Sequence, residues 1–332
     1  MVIRKKKKVK MWKKVLLIAV GLFILVGVGS FTYVYTQLSK MKTTKITKTD
    51  AALGISPNVV ADDQITNIAF FGVDRRNSDE PGRSDSIIVM SIDAKHQKIK
   101  MSSVMRDTYV KVEGHGETKI THAYAYGGPQ LAIKTLNQNF NLDIKDFVTV
   151  DFFNLEKIID AVGGVTIDVQ KNEINLLNSY MNETAGIEKK SITKVTKTGP
   201  QTLNGMQAVA YSRIRYTAGG DFERTERQRT VLTAMLNKIK SAGTTQFPSL
   251  VSKLLQYTET SMTSVDILKM GTKVITSNMM NLDQERFPID GYCNAKTIDG
   301  VWYLVPNLPA TVDQMHKYIF DDIKPVPKAP LF

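Results

Sequence analysis

Between Val15 and Ser39 the chain carries no charged residue, and the apolar stretch Val15–Tyr35 within it is 21 residues long. At a rise of about 1.5 Å per residue, a helix of that length crosses a hydrocarbon layer about 30 Å thick. A transmembrane helix is therefore predicted over residues 15–38. Eight basic residues precede it, and Lys40, Lys42, Lys45 and Lys48 follow. The positive-inside bias keeps the basic tail, residues 1–14, in the cytoplasm and sends everything after the span outward. Gly27-Val28-Gly29-Ser30 offers small residues for a signal-peptide cut, but the apolar run continues through Phe31, Tyr33, Val34 and Tyr35, longer than an ordinary signal core.

About 280 residues remain to fold beyond the span, which predicts one large α/β domain. Cys293 is the only cysteine, so the chain can form neither an intramolecular disulfide nor a cysteine-based zinc site. Its stability must come from its core, as befits an envelope whose folding route does not rely on oxidation. Twelve basic and no acidic residues lie in residues 1–48, whereas the body from Thr49 onward holds 32 of each sign. The net charge of +12 thus belongs to the arm. A neutral body excludes a general nucleic-acid footprint.

Residues 39–63 are polar and irregular and read as an extracellular stalk. Hydrophobic patterning then predicts strands at Ile65–Phe71, Ser86–Ile92 and Lys98–Val104, the last two joined by a turn at Ala94–Gln97. A helix follows at Pro129–Asn139, a strand at Phe147–Val150, a helix at Phe152–Val162 stopped by Gly163-Gly164, and a strand at Val165–Val169. Residues 171–202, rich in Lys, Thr and Asn, read as a long loop or small insertion. Leu203–Ala210 reads as a short helix entering a strand at Tyr211–Tyr216, followed by helices at Asp221–Lys240, Pro248–Tyr257 and Val265–Ser277 and a strand near Arg286–Ile289. Alternating elements imply a central mixed sheet covered on both faces, a single α-β-α domain over residues 64–310 with a C-terminal tail at 311–332.

Nine of the eleven arginines fall in two short stretches, while the 33 lysines are spread along the chain. Guanidinium presents a rigid fork that matches phosphate or carboxylate, so this placement points to oxyanion recognition. In the first stretch a buried strand runs through Gly72 and delivers Asp74, Arg75 and Arg76 at its end, where α/β folds expose ligand sites. Arg83-Ser84-Asp85 adds a second carboxylate, and Arg106-Asp107-Thr108 ends the third strand. Asp74 and Asp85 either hold Mg²⁺ against a phosphate, a hard ion suited to one or two carboxylates plus phosphate oxygens and water, or are strand-end residues paired with local arginines.

The second stretch contains Arg213, Arg215, Arg224, Arg227 and Arg229. On the predicted strand, Tyr211, Arg213 and Arg215 share a face. On the following helix, Arg224, Arg227, Gln228 and Val231 form one stripe close to the N-terminus, itself an anion site, with Asp221 as a suitable N-cap. The other reading is a solvated basic face neutralised by Glu223 and Glu226. His115 and His122 lack helical metal spacing, and His122 reads as a hydrogen-bonded structural residue. The chain has no Gly-x-Ser-x-Gly elbow, no phosphate-binding Gly-x-x-x-x-Gly-Lys loop and no Cys-x-x-Cys.

Taken together, Gly72-Val73-Asp74-Arg75-Arg76, Arg83-Ser84-Asp85, Arg106-Asp107-Thr108, Lys119-Ile120-Thr121-His122-Ala123-Tyr124 with Gly127-Gly128, Asp160 to Val165, and Leu203-Asn204-Gly205 through Tyr211 to Arg215 and on to Arg224-x-x-Arg227-Gln228 resemble the LytR-CpsA-Psr family of cell-wall glycopolymer ligases. The resemblance is strong over about residues 65–240. Met105 stands where the family usually has proline, and Thr121 where asparagine is frequent.

The resemblance implies an Mg²⁺-dependent phosphotransferase, anchored in a Gram-positive cell membrane with its catalytic domain outside. Its donor would be an anionic glycopolymer of teichoic acid or capsule type on a polyprenyl-pyrophosphate carrier, and its acceptor peptidoglycan. By this correspondence Asp74 and Asp85 hold Mg²⁺, or Mn²⁺ in its place. Asp74, Arg106, Arg213 and Arg215 are catalytic, and Arg83, Arg224, Arg227 and Gln228 bind the pyrophosphate. Asp74 as the base that activates the acceptor hydroxyl is a further hypothesis, since a fully metal-bound carboxylate is a poor base. The resemblance also implies an apolar tunnel for the lipid tail, whose lining cannot be told from ordinary core by pattern alone. Two other readings fit the same residues: a phosphatase or pyrophosphatase that uses water in the same site, and a non-catalytic envelope regulator.

Overall fold

The computed structural model describes residues 42–75, 82–217, 219–277, 279 and 281–328. The predicted cytoplasmic tail and transmembrane helix lie outside the described residues, among which no helix is long and apolar enough to cross a membrane.

The described chain begins with a short strand, β1 (Lys42–Thr43), followed after an irregular stretch by an antiparallel meander of β2 (Ile65–Asp74), β3 (Arg83–Asp93) and β4 (Lys98–Val104). A hairpin of β5 (Tyr109–Val112) and β6 (Gly116–Lys119) leads to α1 (His122–Phe140), β7 (Asp146–Asp151) and α2 (Phe152–Ala161). Next, β8 (Val165–Val169) and β9 (Gly199–Leu203) pair with each other on either side of α3 (Ile174–Glu188). The chain continues through α4 (Gly205–Arg213), α5 (Gly220–Ser241), α6 (Gly243–Leu255), β10 (Glu259–Thr260), α7 (Ser264–Thr276) and β11 (Asn281–Phe287). A second hairpin, β12 (Cys293–Ile298) and β13 (Val301–Pro306), precedes α8 (Leu308–Phe320).

Seven strands form the central sheet in the order β1-β10-β7-β2-β3-β4-β11. It is mixed, because β2 runs parallel to β7 and β4 to β11 while the meander is antiparallel. The period of two along β2 sorts its side chains between two layers. Ala69, Phe71 and Val73 join the main core with Ile133 and Leu136 of α1 and Tyr318 and Ile319 of α8. Ile68, Phe70 and Gly72 face the opposite layer, beneath Val231, Leu232 and Leu236 of α5. Each fully buried Leu, Ile or Phe contributes about 1.5–3 kcal/mol. The ends of β2, β4 and β7 and the start of β3 lie at one edge of the sheet, which is where the arginine stretches converge.

Lys98–Val104 and Val165–Val169 have the predicted bounds, and the helix predicted from Pro129 is the regular part of α1, which is broken at Gly127 and Gly128. Other segments differ. Residues 171–202 contain α3 and β9, because Leu177, Met181 and Ala185 make a buried i, i+4, i+8 stripe on a polar background. The predicted strand Tyr211–Tyr216 does not form. A capping box between Asn204 and Gln207 starts α4, the buried run Ala208-Val209-Ala210 carries it through Tyr211, and it ends at Arg213. Gly205 lets α4 sit against α2, since a Cβ there would lie 2.2 Å from the Glu156 carbonyl oxygen.

Residues 42–63, predicted as stalk, are docked on the body. β1 extends the sheet, and Leu53 and Ile55 enter the main core, with Asn137 Nδ2 donating to the Leu53 carbonyl at 2.9 Å. Residues 311–320, predicted as the start of a tail, belong to α8, whose Met315, Tyr318 and Ile319 are core residues. The strand near Arg286–Ile289 is instead β11, which ends at Phe287.

Candidate oxyanion site at the mouth of an apolar cavity

On β2 the row that faces the α5 layer runs Ile68, Phe70, Gly72 and then Asp74. Opposite, the register slips by one residue: Gly72 pairs with Ser86 and Val73 with Ser84, leaving Asp85 as the extra residue of a bulge. Bulges re-aim side chains beside active sites, and this one turns a carboxylate out of the ladder at the sheet edge. Thr121 Oγ1 donates to the Ser84 carbonyl at 2.9 Å, and the Thr121 N–H donates to the Arg106 carbonyl at 3.1 Å. Thr121 thus ties the bulge to the end of β4. Arg83 is the exposed register partner of Asp74, while Arg76 lies outside the described residues.

Arg106, just past β4, donates from Nη1 to Asp85 Oδ1 at 2.8 Å and stands 3.4 Å from Asp107 and 3.6 Å from Asp221. Arg224 reaches Asp221 at 3.1 Å and the Asp85 carbonyl at 3.2 Å, and Arg215 Nε lies 3.4 Å from Asp221. Asp221 therefore sits among three guanidiniums. It is not the N-cap expected from sequence. Gly219 takes that position, and Glu223 accepts from the Gly219 N–H, leaving Asp221 inside the first turn and free to gather the arginines. Burial pushes the Asp221 carboxyl above the usual carboxylate range, against the pull of Arg224 and Arg106. Burial also lowers the Arg224 guanidinium from its ordinary value.

Two donors in this cluster have no protein acceptor. Arg215 Nη2 and Arg224 Nε are buried and make no hydrogen bond, and the buried Arg106 Nε has only the 3.4 Å contact with Asp107. Buried N–H groups are rarely left so, and these, all on guanidiniums, suit the oxygens of a phosphate.

Because α4 continues through Tyr211 to Arg213, Arg213 and Arg215 do not share a strand face. Arg213 turns toward α3, donating to Thr184 at 3.0 Å and Glu183 at 3.1 Å, with its guanidinium 5.5 and 5.2 Å from the Phe152 and Tyr180 ring centroids. The predicted α5 stripe divides likewise. Arg224 faces the carboxylates and Gln228 the cavity, but Arg227 is buried in the body, donating to Glu173 at 2.7 Å, the Ile214 carbonyl at 3.3 Å and Glu223 at 2.9 Å. His122 accepts the expected structural role: its Nδ1 lies 2.9 Å from Thr118 Oγ1, and burial, then Arg83 and Lys119, lower its pKa and favour the neutral ring. Asp107, Asp221, Glu173 and Glu183 are the partners that sequence reasoning did not assign to the site. For Asp107 and Asp221 their nearness to Arg106 and Arg224 was an available signal, whereas Glu173 and Glu183 lie 54 and 30 positions from their partners and gave none.

Behind the cluster lies an apolar cavity of about 350 Å³ between the sheet and α2, α5, α6 and α7. Ser86, Ser212 and Gln228 stand on its lining, next in sequence or one turn away from Asp85, Arg213 and Arg224, and so does Gly72, two residues before Asp74. Gly72 is required there, because a Cβ would lie 2.9 Å from the Ser86 Cβ. From Gln228 the lining follows α5 to Lys240, twelve residues and thus about 18 Å along the helix. α7 has no buried residue, although Ile267, Met270, Val274 and Ile275 all line this space.

Among the described residues no group of three or more His, Cys, Asp or Glu side chains is arranged to hold a metal. Asp74 and Asp85 lie on paired strands at one sheet edge, and Asp85 is engaged by the Arg106 guanidinium.

Fold and site together define an α/β protein with a cluster of guanidiniums and carboxylates beside an apolar cavity. The LytR_cpsA_psr family matches residues 28–318, and the chain belongs to that family. It is 30% identical over 305 residues to the polyisoprenyl-teichoic acid–peptidoglycan teichoic acid transferase TagU of Bacillus cereus, covering 90% of this chain and 92% of that protein. Among solved structures, TagT bound to LI-WTA is 25% identical with a TM-score of 0.65, covering 84% of this chain and 98% of that one. The YwtF (TagT) structure with bound octaprenyl pyrophosphate lipid shares the fold, with 23% identity, a TM-score of 0.62 and coverage of 84% and 98%.

Proposed function

We propose that this protein is a phosphotransferase that moves a phosphate-linked anionic glycopolymer from a polyprenyl-pyrophosphate carrier to a hydroxyl of peptidoglycan. The observation that carries the reading is the adjacency of unpartnered buried guanidinium donors to an apolar cavity, which suits a ligand with a pyrophosphate head and a hydrocarbon tail. Membership of the family and similarity to teichoic acid transferases support the same chemistry.

In this reaction the acceptor hydroxyl gives up its proton, to Asp74 or through it to water, as its oxygen bonds to the phosphorus that bears the glycopolymer. The bond from that phosphorus to the bridging oxygen breaks, and polyprenyl phosphate leaves with the electron pair. Negative charge grows on the bridging oxygen, so the catalytic demand is electrostatic. Arg106, Arg215 and Arg224 surround the place where the pyrophosphate would lie, pre-oriented by Asp85, Asp107 and Asp221, so little reorganisation is needed as charge develops. Arg83, exposed opposite Asp74, is placed to meet the outer phosphate oxygens. Arg213, held by Thr184 and Glu183 beside two aromatic rings, lies next to the cavity residue Ser212 and orients the lipid side of the pyrophosphate. Gln228 lines the mouth, and Arg227 serves the site by fixing α5 against α3 through Glu173. Asp74 and Asp85 would hold Mg²⁺, or Mn²⁺, which neutralises charge on the pyrophosphate when bound.

The test is a reaction of the purified full-length chain in detergent with lipid-linked glycopolymer, with and without peptidoglycan. The proposal expects a covalent glycopolymer–peptidoglycan conjugate and stoichiometric polyprenyl phosphate. Release of free phosphorylated glycopolymer only, with or without acceptor, would establish the phosphatase reading in its place.

A further inference from the structure

One side of the arginine site carries an aromatic surface that the donor chemistry does not use. Trp302 is 42% exposed on β13, an unusual position for the largest apolar side chain. Its exposure does not come from a loose hairpin. Leu304, two residues on, is fully buried beside Met105 and Cys293, its N–H donates to the Asp107 carbonyl at 3.0 Å, and it bridges Thr108 in parallel register. β13 is therefore fastened to the segment that immediately follows Arg106. Tyr303 meets Tyr109 of β5 edge-to-face, with ring centroids 4.8 Å apart. Lys119 of β6 stands between the rings, its Nζ 6.0 Å from the Trp302 centroid and 5.8 Å from that of Tyr303. The same Nζ contacts Asp107 Oδ1 at 2.6 Å, and Asp107 Oδ2 contacts Arg106 Nε at 3.4 Å. Rings, lysine, carboxylate and catalytic arginine thus form one continuous row.

We propose that Tyr109, Trp302 and Tyr303, set around Lys119, form the docking surface for the acceptor glycan strand and hold a sugar ring beside the reacting phosphate. This rests on the transferase reading. A pyranose ring has a flat C–H face that packs on an aromatic face and a rim of hydroxyls for polar neighbours, and this surface presents both. Its charge selects the acceptor over the anionic donor polymer. The Lys119 charge is already neutralised by Asp107, and Glu117 and Asp299 lie near the Tyr109 hydroxyl, so a phosphate-rich chain is repelled where a sugar strand is not. The position also fits the reaction: the donor tail runs away from the arginines into the cavity, and the platform approaches them from the Asp107 side.

Trp302 supplies its own probe, since Trp12 is the only other tryptophan. In the full-length W12F protein in detergent, titration with uncrosslinked peptidoglycan glycan strands is expected to shift Trp302 emission saturably, whereas inorganic phosphate leaves it unchanged. In the transfer assay, Trp302→Ala is expected to raise KM for the glycan acceptor about tenfold, with donor KM and acceptor-independent donor turnover unchanged, and Trp302→Phe to restore most of the loss. Unchanged acceptor KM in a folded Trp302→Ala protein, an emission insensitive to glycan strands, or a rise in donor KM instead would each overturn the proposal. Failure of the unsubstituted protein to form any conjugate would count against the transferase reading alone, and the emission titration would then still decide whether the platform binds glycan.

Discussion

At the scale of single residues, the arginines that sequence grouped together divide by what their donors touch. Arg215 keeps a buried Nη2 free of any protein acceptor, whereas all three kinds of donor nitrogen on Arg227 are taken by Glu173, Ile214 and Glu223. Arg215→Lys keeps the charge but loses the fork, and is expected to lower kcat/KM for the lipid-linked donor about 10²-fold with an unchanged melting temperature. Arg227→Ala should do the reverse in kind. It leaves Glu173, with a side chain only 5% exposed, without its partner, and should destabilise the fold by about 3 kcal/mol in urea unfolding. Equal effects of the two substitutions on stability would contradict this division. Sequence spacing could place both arginines near α5 but could not tell them apart, because the distinguishing carboxylate, Glu173, lies 54 positions away in a segment that reads as a polar loop.

At the scale of elements, the legible parts were those whose burial is set by local periodicity. β2 and β3 announce themselves by apolar runs, β4 by the alternation of Ile99 and Met101 with polar residues, and the glycines after α2 mark its end. The helix predicted at Leu203–Ala210 forms as α4, but its last residues were read as strand because Tyr211, Ile214 and Tyr216 favour strands in isolation. The β5–β6 and β12–β13 hairpins were not legible because β6 and β12 are polar and mostly exposed, leaving little apolar pattern. Of the candidate site, the grouping of Arg106, Arg215 and Arg224 near one sheet edge was legible, but the turn of Arg213 toward α3 was not, and the bulge that aims Asp85 depends on a one-residue slip between strands.

The packing of α2 against α3 and α4 makes a further prediction. Glu156 on α2 is buried against Glu188, with Lys190 3.9 Å away, and burial, then the Glu188 charge, push its carboxyl up to about 7. A carboxyl raised in the folded state contributes stability that is present below the ordinary carboxylate range and lost as pH rises through about 7. Glu156→Gln should therefore gain on the unsubstituted protein between pH 5 and pH 8 when the two are compared by urea unfolding. A stability difference independent of pH would refute the assignment.

At the scale of the whole molecule, the sheet separates two layers with different tasks. One face carries the main core with α1 and α8, and the other leaves an apolar cavity under α5, α6 and α7. The apolar side chains of α7 line that cavity, with Ile267, Leu268 and Ile275 packed against Phe247, Val251 and Leu255 of α6, and none is fully buried. Leu236→Trp, which fills the middle of the space, is expected to raise KM for a long-chain polyprenyl donor at least tenfold, while leaving turnover of a short, water-soluble prenyl pyrophosphate unchanged. Equal losses on both donors would place the tail elsewhere.

The central claim is that pyrophosphate and tail are divided between the arginine cluster and this cavity, and a structure of the full-length protein with a polyprenyl pyrophosphate tests it most directly. The account predicts pyrophosphate oxygens within hydrogen-bonding distance of Arg106, Arg215 and Arg224 beside Asp74, with the tail entering past Gly72 and Ser86 and running along α5 toward Lys240. A lipid bound on the outer surface, or a pyrophosphate remote from those guanidiniums, would contradict it.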